Sequence, residues 1–286
     1  MNYKNSGIHT GIGVTIADSC VFKRLKGKNG KISFGDYCTI YENCRFLMDG
    51  EFRMGDYGVI HNNTLISGYK PCIIGHNAWI GQNSIINSTD TLKIGNNLGI
   101  GTDSKIWTHA FHGEFLLGCR ITVGIPDFKS KSGAVTIGDD FWGIGQITIS
   151  PGVKIGNKVI ALTNSLITKD ISDNTIVAGI PARPIEIDGD IRGFEDLKEI
   201  EKFKLMKEFS LQFSKLKKIK VKIDDGAKRI ILGNREVVLH CKDEENNIGT
   251  SYFNIIKRTY TKRHNLLERE FIKFLIGYRA RFVPQE

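Results

Sequence analysis

The sequence predicts a mainly β protein, in which a solenoid of parallel strands is followed by a smaller α+β domain. Three observations lead to this prediction. Of the 31 glycines, 25 lie before residue 188 and six after it. In the glycine-rich part, apolar residues recur at a strict step of six. Beyond residue 188 that step ends, and apolar residues recur at intervals of three and four among many charges.

The repeat is clearest in four segments with evenly spaced starts, at Phe34, Met54, Ile74 and Ile94. Each start is followed by Gly, and further apolar starts come six and twelve positions later. A helix needs an apolar period of 3.6 and a sandwich needs alternation with hairpin turns, so this pattern indicates three short strands per turn of a coil. After a break the unit loses the two extra positions at one corner, with starts at Ile137, Gly143, Ile149, Ile155, Ala161 and Ile167.

The fifth position of each six-residue unit holds small or aliphatic residues. Side chains at this position are expected to stack inside a narrow coil from turn to turn. The positions are Cys38, Cys44, Thr64, Ala78, Ser84, Ser104, Val153, Val159 and Ser165.

Composition and charge exclude several classes of protein. With 41% hydrophobic and 25% charged residues, the chain is expected to fold. It has no apolar run long enough for a membrane span, and its start, MNYKNSGIHT, lacks the apolar core of a secretory signal, so we expect no membrane span and a cytoplasmic protein. The six cysteines form no C-x-x-C pair, which favours reduced thiols. The phosphate-loop and nucleophile-elbow motifs are absent.

The chain carries a formal charge of +9, and the basic excess is mostly C-terminal. Such an excess suits an acidic glycan or peripheral contact with an anionic membrane surface. No groove-reading or aromatic RNA-binding motif accompanies it, so nucleic acid is not an expected partner.

Two stretches of the chain resemble the hexapeptide-repeat acyltransferases. They are residues 137–171, IGDDFWGIGQITISPGVKIGNKVIALTNSLITKDI, and residues 177–185, VAGIPARPI. The resemblance covers roughly residues 10–187 and implies a left-handed parallel β-helix of triangular cross-section. We therefore expect a β-helix domain at 1–187 and an α+β accessory domain at 188–286. One departure is the stretch from Trp142 to Gly145, which reads Trp-Gly-Ile-Gly where family members usually read Trp-Ile-Gly.

A long segment, residues 107–134, interrupts the repeat and is predicted to leave the coil as a loop. It begins WTHAFHGE, and imidazole has a pKa suited to taking a proton near neutral pH. In the family that this chain resembles, such a loop carries the catalytic histidine, and the Thr-His pair makes His109 the first candidate, with His112 as the alternative. No further histidine lies nearby, and Cys119, seven residues after His112, does not complete a zinc-ligand spacing, so no metal site is expected.

The resemblance also implies acetyl-CoA as the acyl donor, bound along an edge between adjacent subunits of a homotrimer. Trp142 would begin this edge. The backbone amides around Gly143, Gly145 and Thr163 would meet the pantetheine arm. Lys169 and Arg183 would meet the phosphates or the adenine end.

The expected function is that of an acetyl-CoA-dependent O-acetyltransferase. Its acceptor would be a sugar hydroxyl of a bacterial surface glycan of the capsule or lipopolysaccharide type, or of a precursor, and the positive charge suits an acidic acceptor. Two alternatives stay open. One is an N-acetyltransferase for a nucleotide-linked amino sugar, and the other is a non-catalytic, trimeric β-helix scaffold.

The C-terminal third lacks the repeat and resembles no family. An amphipathic helix is predicted from Phe194 to Leu216. Short strands are predicted at 220–223, 228–232 and 236–241, and a last helix from His264 to Tyr278.

Overall fold

Two compact units make up the protein in the computed structural model, Met1–Phe194 and Glu195–Glu286. The structure describes residues 7–25, 30–110, 132–242, 247–277 and 279–285. None of the helices in these residues combines the length and the apolar character that crossing a membrane requires.

The first unit is built from short strands of two to four residues. Before the predicted loop they are β1 to β15, in order Ile8–Thr10, Thr15–Ile16, Val21–Lys23, Ile32–Phe34, Thr39–Ile40, Arg45–Met48, Phe52–Met54, Val59–Ile60, Leu65–Gly68, Cys72–Ile74, Trp79–Ile80, Ile85–Ser88, Leu92–Ile94, Gly99–Ile100 and Lys105–Ile106. After it they are β16 to β23, in order Val135–Ile137, Trp142–Gly143, Thr148–Ile149, Lys154–Ile155, Ile160–Ala161, Leu166–Ile167, Ile176–Gly179 and Ala182–Pro184.

These strands form three parallel sheets in which each strand pairs with the strand three places further along the chain. The first sheet runs β1-β4-β7-β10-β13-β16-β19, and the third runs from β3 to β21 by the same step. The second sheet runs from β2 to β20 by this step and ends with β22 and the antiparallel β23. Three strands therefore make one turn of a coil, which confirms the predicted mainly β, parallel-strand fold. The left hand of the coil stays a prediction.

The core of the first unit follows the six-residue step of the sequence. Every predicted start from Phe34 to Ile167 is buried, and all of them except Gly143 form one continuous cluster with Phe52, Leu92 and their neighbours. The small residues of the fifth position are buried as well. This confirms that both sets stack inside the coil.

Gly143, at an inward position, is compensated by larger neighbours. A Cβ on Gly143 would lie 2.4 Å from Ile147 Cδ1 and 3.4 Å from Phe141 Cε1. Ile147 and Phe141 stand at fifth positions and both are fully buried. Phe141 departs from the expectation that this position holds only small or aliphatic residues. The space left by the missing side chain is therefore filled, and the core continues through this turn.

The corner between the first and second sheets, called here the first corner, is capped by a ladder of side chains. At each turn a side-chain acceptor binds the backbone N–H at the same position one turn earlier, as in Asp36 N–H to Asp56 Oδ1 (2.8 Å) and His76 N–H to Asn96 Oδ1 (2.9 Å). The acceptor residue follows a glycine at every turn except the last, where Asp173 follows Ser172. These bonds satisfy donors that the short strands leave unpaired. The acceptors are Asp36, Asp56, His76, Asn96, Asp139, Asn157 and Asp173.

The second unit contains two helices, α1 (Glu199–Lys217) and α2 (Leu266–Leu275), and a six-stranded sheet. Helix α2 is capped at its N-terminus by Asn265, whose Oδ1 accepts the Glu268 N–H at 2.7 Å. The aromatic core of the second unit is formed by Phe213, Phe253 and Phe271. The strands are β24 to β29, in order Val221–Asp224, Arg229–Leu232, Val237–His240, Ser251–Asn254, Thr259–Tyr260 and Val283–Pro284.

Candidate active site

The segment predicted as a loop begins and ends at the corner between the third and first sheets, called here the loop corner and formed by residues 87–91, 107–110 and 132–134. Strands β12 and β15 pair in register, with Ile86 opposite Ile106. The residues that follow each strand therefore meet at the same corner, although they are one full turn of the coil apart in the sequence. Residues 111–131 lie outside the described residues, and the candidate His112 is among them.

The side chain of Asn87 links the two segments. Its Oδ1 lies 2.9 Å from Thr108 Oγ1 and 3.0 Å from His109 Nδ1. It also accepts the backbone N–H of Thr89 at 3.1 Å. Asn87 and Thr108 are both buried, so this part of the corner is a packed polar cluster.

Asp90 joins the start of the loop to its end. The backbone N–H of Asp90 donates to Thr108 Oγ1 at 3.0 Å. The carboxylate Oδ2 of Asp90 accepts the Ser132 hydroxyl at 3.0 Å and the Gly133 N–H at 2.9 Å. Both ends of the predicted loop segment are therefore held at Asp90, which fixes the position of His109 at this corner.

His109 stands at the surface of this cluster. Its ring is half-buried and makes an edge contact with Trp107, with 5.9 Å between the ring centroids. Burial lowers the pKa of His109 below its usual value of 6.5, because water no longer solvates the imidazolium fully. The ring is therefore mostly neutral near pH 7 and able to accept a proton.

The residues of the predicted donor edge lie on successive turns of the coil. Trp142 and Gly143 are on β17 of the second sheet, and the Trp142 side chain is 37% exposed. Thr163 and Lys169 are exposed in the turns after β20 and β21. Arg183 is exposed on β23, and its Nη1 donates to the Ala182 carbonyl at 2.8 Å.

Gly145 is buried beside the preceding turn of the coil. It adopts a φ of +119°, a conformation that favours glycine. It lies so close to Gly101 that a Cβ on Gly101 would be 2.5 Å from Gly145 Cα.

Two other histidines of the repeat have structural contacts. His61 lies between the rings of Tyr41 and Trp79, each 4.8 Å away, and burial lowers its pKa. His76 belongs to the first corner, where its Nδ1 accepts the Asp56 N–H at 2.9 Å. Among the described residues, no group of three His, Cys, Asp or Glu side chains could hold a metal ion.

Asn87 and Asp90 are the members of the site that sequence reasoning missed. Their signal is the repeat itself, because one full turn of the coil brings positions 87–90 beside positions 107–110. The stretch Asn-Ser-Thr-Asp is also rich in side chains that bond to nearby backbone. The same period that predicts core residues therefore also predicts which corner residues meet.

Comparison with known proteins finds several acetyltransferases that match a short part of the chain. The lipopolysaccharide biosynthesis O-acetyltransferase WbbJ of Escherichia coli K12 is 40% identical over 62 residues, which are 21% of this chain and 32% of WbbJ. The galactoside O-acetyltransferase of the same organism is 41% identical over 51 residues, which are 18% of this chain and 25% of that protein. The match thus spans about a third or less of these relatives. No protein-family model matches.

Among solved structures, AntD of Bacillus cereus aligns with 75% of this chain and 94% of its own, at 19% identity and a TM-score of 0.42. AntD is described as an N-acyltransferase, and the structure is a complex with dTDP and 3-hydroxybutyryl-CoA. The sequence matches to named O-acetyltransferases, found for a chain whose strands repeat three to a turn, confirm the resemblance to the hexapeptide-repeat acyltransferases.

Proposed function

We propose that this protein is an acetyl-CoA-dependent O-acetyltransferase that acts in the cytoplasm on a sugar hydroxyl of a bacterial surface glycan, of the capsule or lipopolysaccharide type, or of its precursor. The observation that carries the proposal is His109, a half-buried imidazole with a lowered pKa that lies where residues 107–134 interrupt the repeat. The sequence similarity to a lipopolysaccharide O-acetyltransferase and to a galactoside O-acetyltransferase supports the substrate class.

His109 is the proposed general base. The acceptor hydroxyl gives its proton to the imidazole as its oxygen forms a bond to the thioester carbonyl carbon. The tetrahedral intermediate then expels the thiolate of coenzyme A, the carbon–sulfur bond breaks, and the imidazolium returns its proton to sulfur. Base catalysis of this kind contributes about 10² to 10⁴ in rate.

The donor is proposed to bind along the edge that begins at Trp142. The indole is partly exposed, and Ile144, two residues further, is 57% exposed, which offers apolar surface to the pantetheine arm. The exposed Lys169 and Arg183 supply positive charge for phosphates. Gly143, Gly145 and Thr163 remain the proposed backbone contacts.

A homotrimer is part of the proposal. His109 stands at the corner between the third and first sheets, whereas Trp142 is on the second sheet, which is opposite that corner in a three-sided coil. A site that joins the loop histidine to the donor edge is therefore best formed between two copies. Light scattering on active protein should give the mass of a trimer, and an active monomer would contradict the shared site.

The first experiment measures coenzyme A release from acetyl-CoA with a panel of sugars, nucleotide-linked amino sugars and acidic oligosaccharides. We expect release with hydroxyl acceptors and a product that hydroxylamine deacetylates, because esters are cleaved and amides are not. A hydroxylamine-resistant product would instead support the N-acetyltransferase alternative. Absence of transfer to any acceptor would favour the scaffold.

Variants of the two loop histidines assign the base. His109→Ala should lower the rate by about 10² to 10⁴, with little change in acetyl-CoA binding. His112→Ala should lower it less. The reverse ranking would transfer the role to His112, and equal, mild losses would indicate a base outside this loop.

A further inference from the structure

The amide of Asn87 has one orientation that fits its surroundings. The backbone N–H of Thr89 lies 3.1 Å from one amide atom of Asn87, and a backbone N–H can only donate. That atom must therefore be the oxygen. The amide nitrogen then faces Thr89 Oγ1 at 3.1 Å, where it donates.

The same oxygen faces the imidazole. Thr108 donates its hydroxyl to Asn87 Oδ1, because an amide oxygen can only accept, and Thr108 Oγ1 in turn accepts the Asp90 N–H. His109 Nδ1 lies 3.0 Å from this oxygen, which has no proton to give. The contact is a hydrogen bond only when Nδ1 carries the proton.

We propose that Asn87 is a positioning residue that holds His109 in the tautomer with a proton on Nδ1, so that Nε2 is the atom that takes the acceptor proton. This inference rests on the proposed function. It adds the orientation of the base and the identity of the reacting nitrogen, neither of which follows from the presence of a loop histidine.

The neutral charge of Asn87 is part of the inference. A carboxylate at this position would also accept the Nδ1 proton, but it would stabilise the imidazolium and raise the pKa of His109. Asp90 is the ionisable side chain of the described cluster, and its carboxylate is engaged with Ser132, Gly133 and the Thr91 N–H. Asn87 therefore orients the ring and leaves it neutral near pH 7.

The tautomer of His109 can be measured independently of catalytic activity. In the full protein labelled with 15N-histidine, solid-state NMR at pH 7.5 should show a protonated Nδ1 and an unprotonated Nε2 for His109, assigned as the signal lost in His109→Gln. A protonated Nε2 in the wild-type protein would overturn the inference. This readout stays valid even if the protein is not an acetyltransferase, so the two proposals fail separately.

The pH dependence of turnover supplies the second test. In the wild type, kcat should fall as the pH drops through the lowered pKa of His109, with a midpoint below 6.5. Asn87→Asp should keep kcat at high pH and move this midpoint up by about 1 to 3 pH units. Asn87→Leu should lower kcat about 100-fold at every pH with an unchanged KM for acetyl-CoA, because the tautomer is no longer held.

Asn83→Asp is the matched control, since it adds the same charge in the exposed turn before the same strand. It should leave the midpoint where it is in the wild type. If Asn87→Asp and Asn87→Leu give the same pH-independent loss together with a lowered Tm, Asn87 is a purely structural residue and the inference is wrong.

Discussion

The first corner and the loop corner are built from the same residue types, but their side chains serve different partners. At the first corner, Asp, Asn and one His each cap a backbone N–H of the preceding turn, and the pattern continues over seven turns. At the loop corner, Asn87 and Asp90 reach forward to residues 108, 109, 132 and 133. A polar residue of the repeat therefore indicates a candidate functional site where its contacts differ from those of the ladder.

His76 and His109 illustrate the difference between the two corners. His76 uses Nδ1 as an acceptor for a backbone N–H, so this nitrogen must be unprotonated. His109 faces an acceptor with Nδ1, so this nitrogen must be protonated. One coil thus holds opposite tautomers at two corners, and the proposed reaction needs only the second.

The largest expected effect on stability comes from breaking the close approach of turns at the first corner. A Cβ on Gly75 would lie 2.6 Å from Asn96 Oδ1 and 2.7 Å from the Gly95 carbonyl carbon. Because backbone cannot move aside easily, Gly75→Ala should destabilise the protein by about 1 to 3 kcal/mol, seen as a lower Tm. Gly226→Ala, which meets only one atom at 3.5 Å, is the control and should leave Tm unchanged. Equal Tm values for both variants would contradict this account of the corner.

A smaller effect is expected from removing one cap of the ladder. Asn96→Ala leaves the His76 N–H without the acceptor that now lies 2.9 Å away, and should cost about 1 kcal/mol. Asn96→Asp keeps an acceptor oxygen for the His76 N–H, but it replaces the Asn96 Nδ2 donor, 3.3 Å from Asp139 Oδ1, with a second carboxylate. Its stability should therefore recover as the pH falls and the carboxylates are protonated. Chemical denaturation compares the two variants. If the stability of Asn96→Asp stays equal to that of Asn96→Ala at every pH, the hydrogen bond to the His76 N–H is not what matters at this position.

Much of the first unit could be predicted from the sequence because one geometric constraint repeats. The six-residue step identified the buried positions from Phe34 to Ile167, and the break at 107–134 located the interruption between β15 and β16. The contacts of Asn87 were not predicted, because they depend on where side chains point after strands β12 and β15 end. The filling of the Gly143 position by Phe141 and Ile147 likewise depends on packing across a turn.

The second unit shows the limit of local patterns. Both of its helices and its first three strands were predicted with shifted ends. Strands β27, β28 and β29 were not predicted at all. Thr259–Tyr260 and Val283–Pro284 are two residues long, too short for alternation to be visible, and β26 pairs with β27 in parallel rather than as a hairpin. Such pairings depend on the whole sheet.

The measurement that tests the central claim most directly compares coenzyme A release by His109→Gln and His76→Asn, with Tm recorded for both. His109→Gln should lose about 10² to 10⁴ of the rate at an unchanged Tm, because it removes only the base. His76→Asn should keep the rate and nearly all stability, because Asn96 and Asn157 already fill the same role in the ladder. Equal losses of rate in the two variants, or full activity of His109→Gln, would contradict the assignment of the loop corner as the catalytic site.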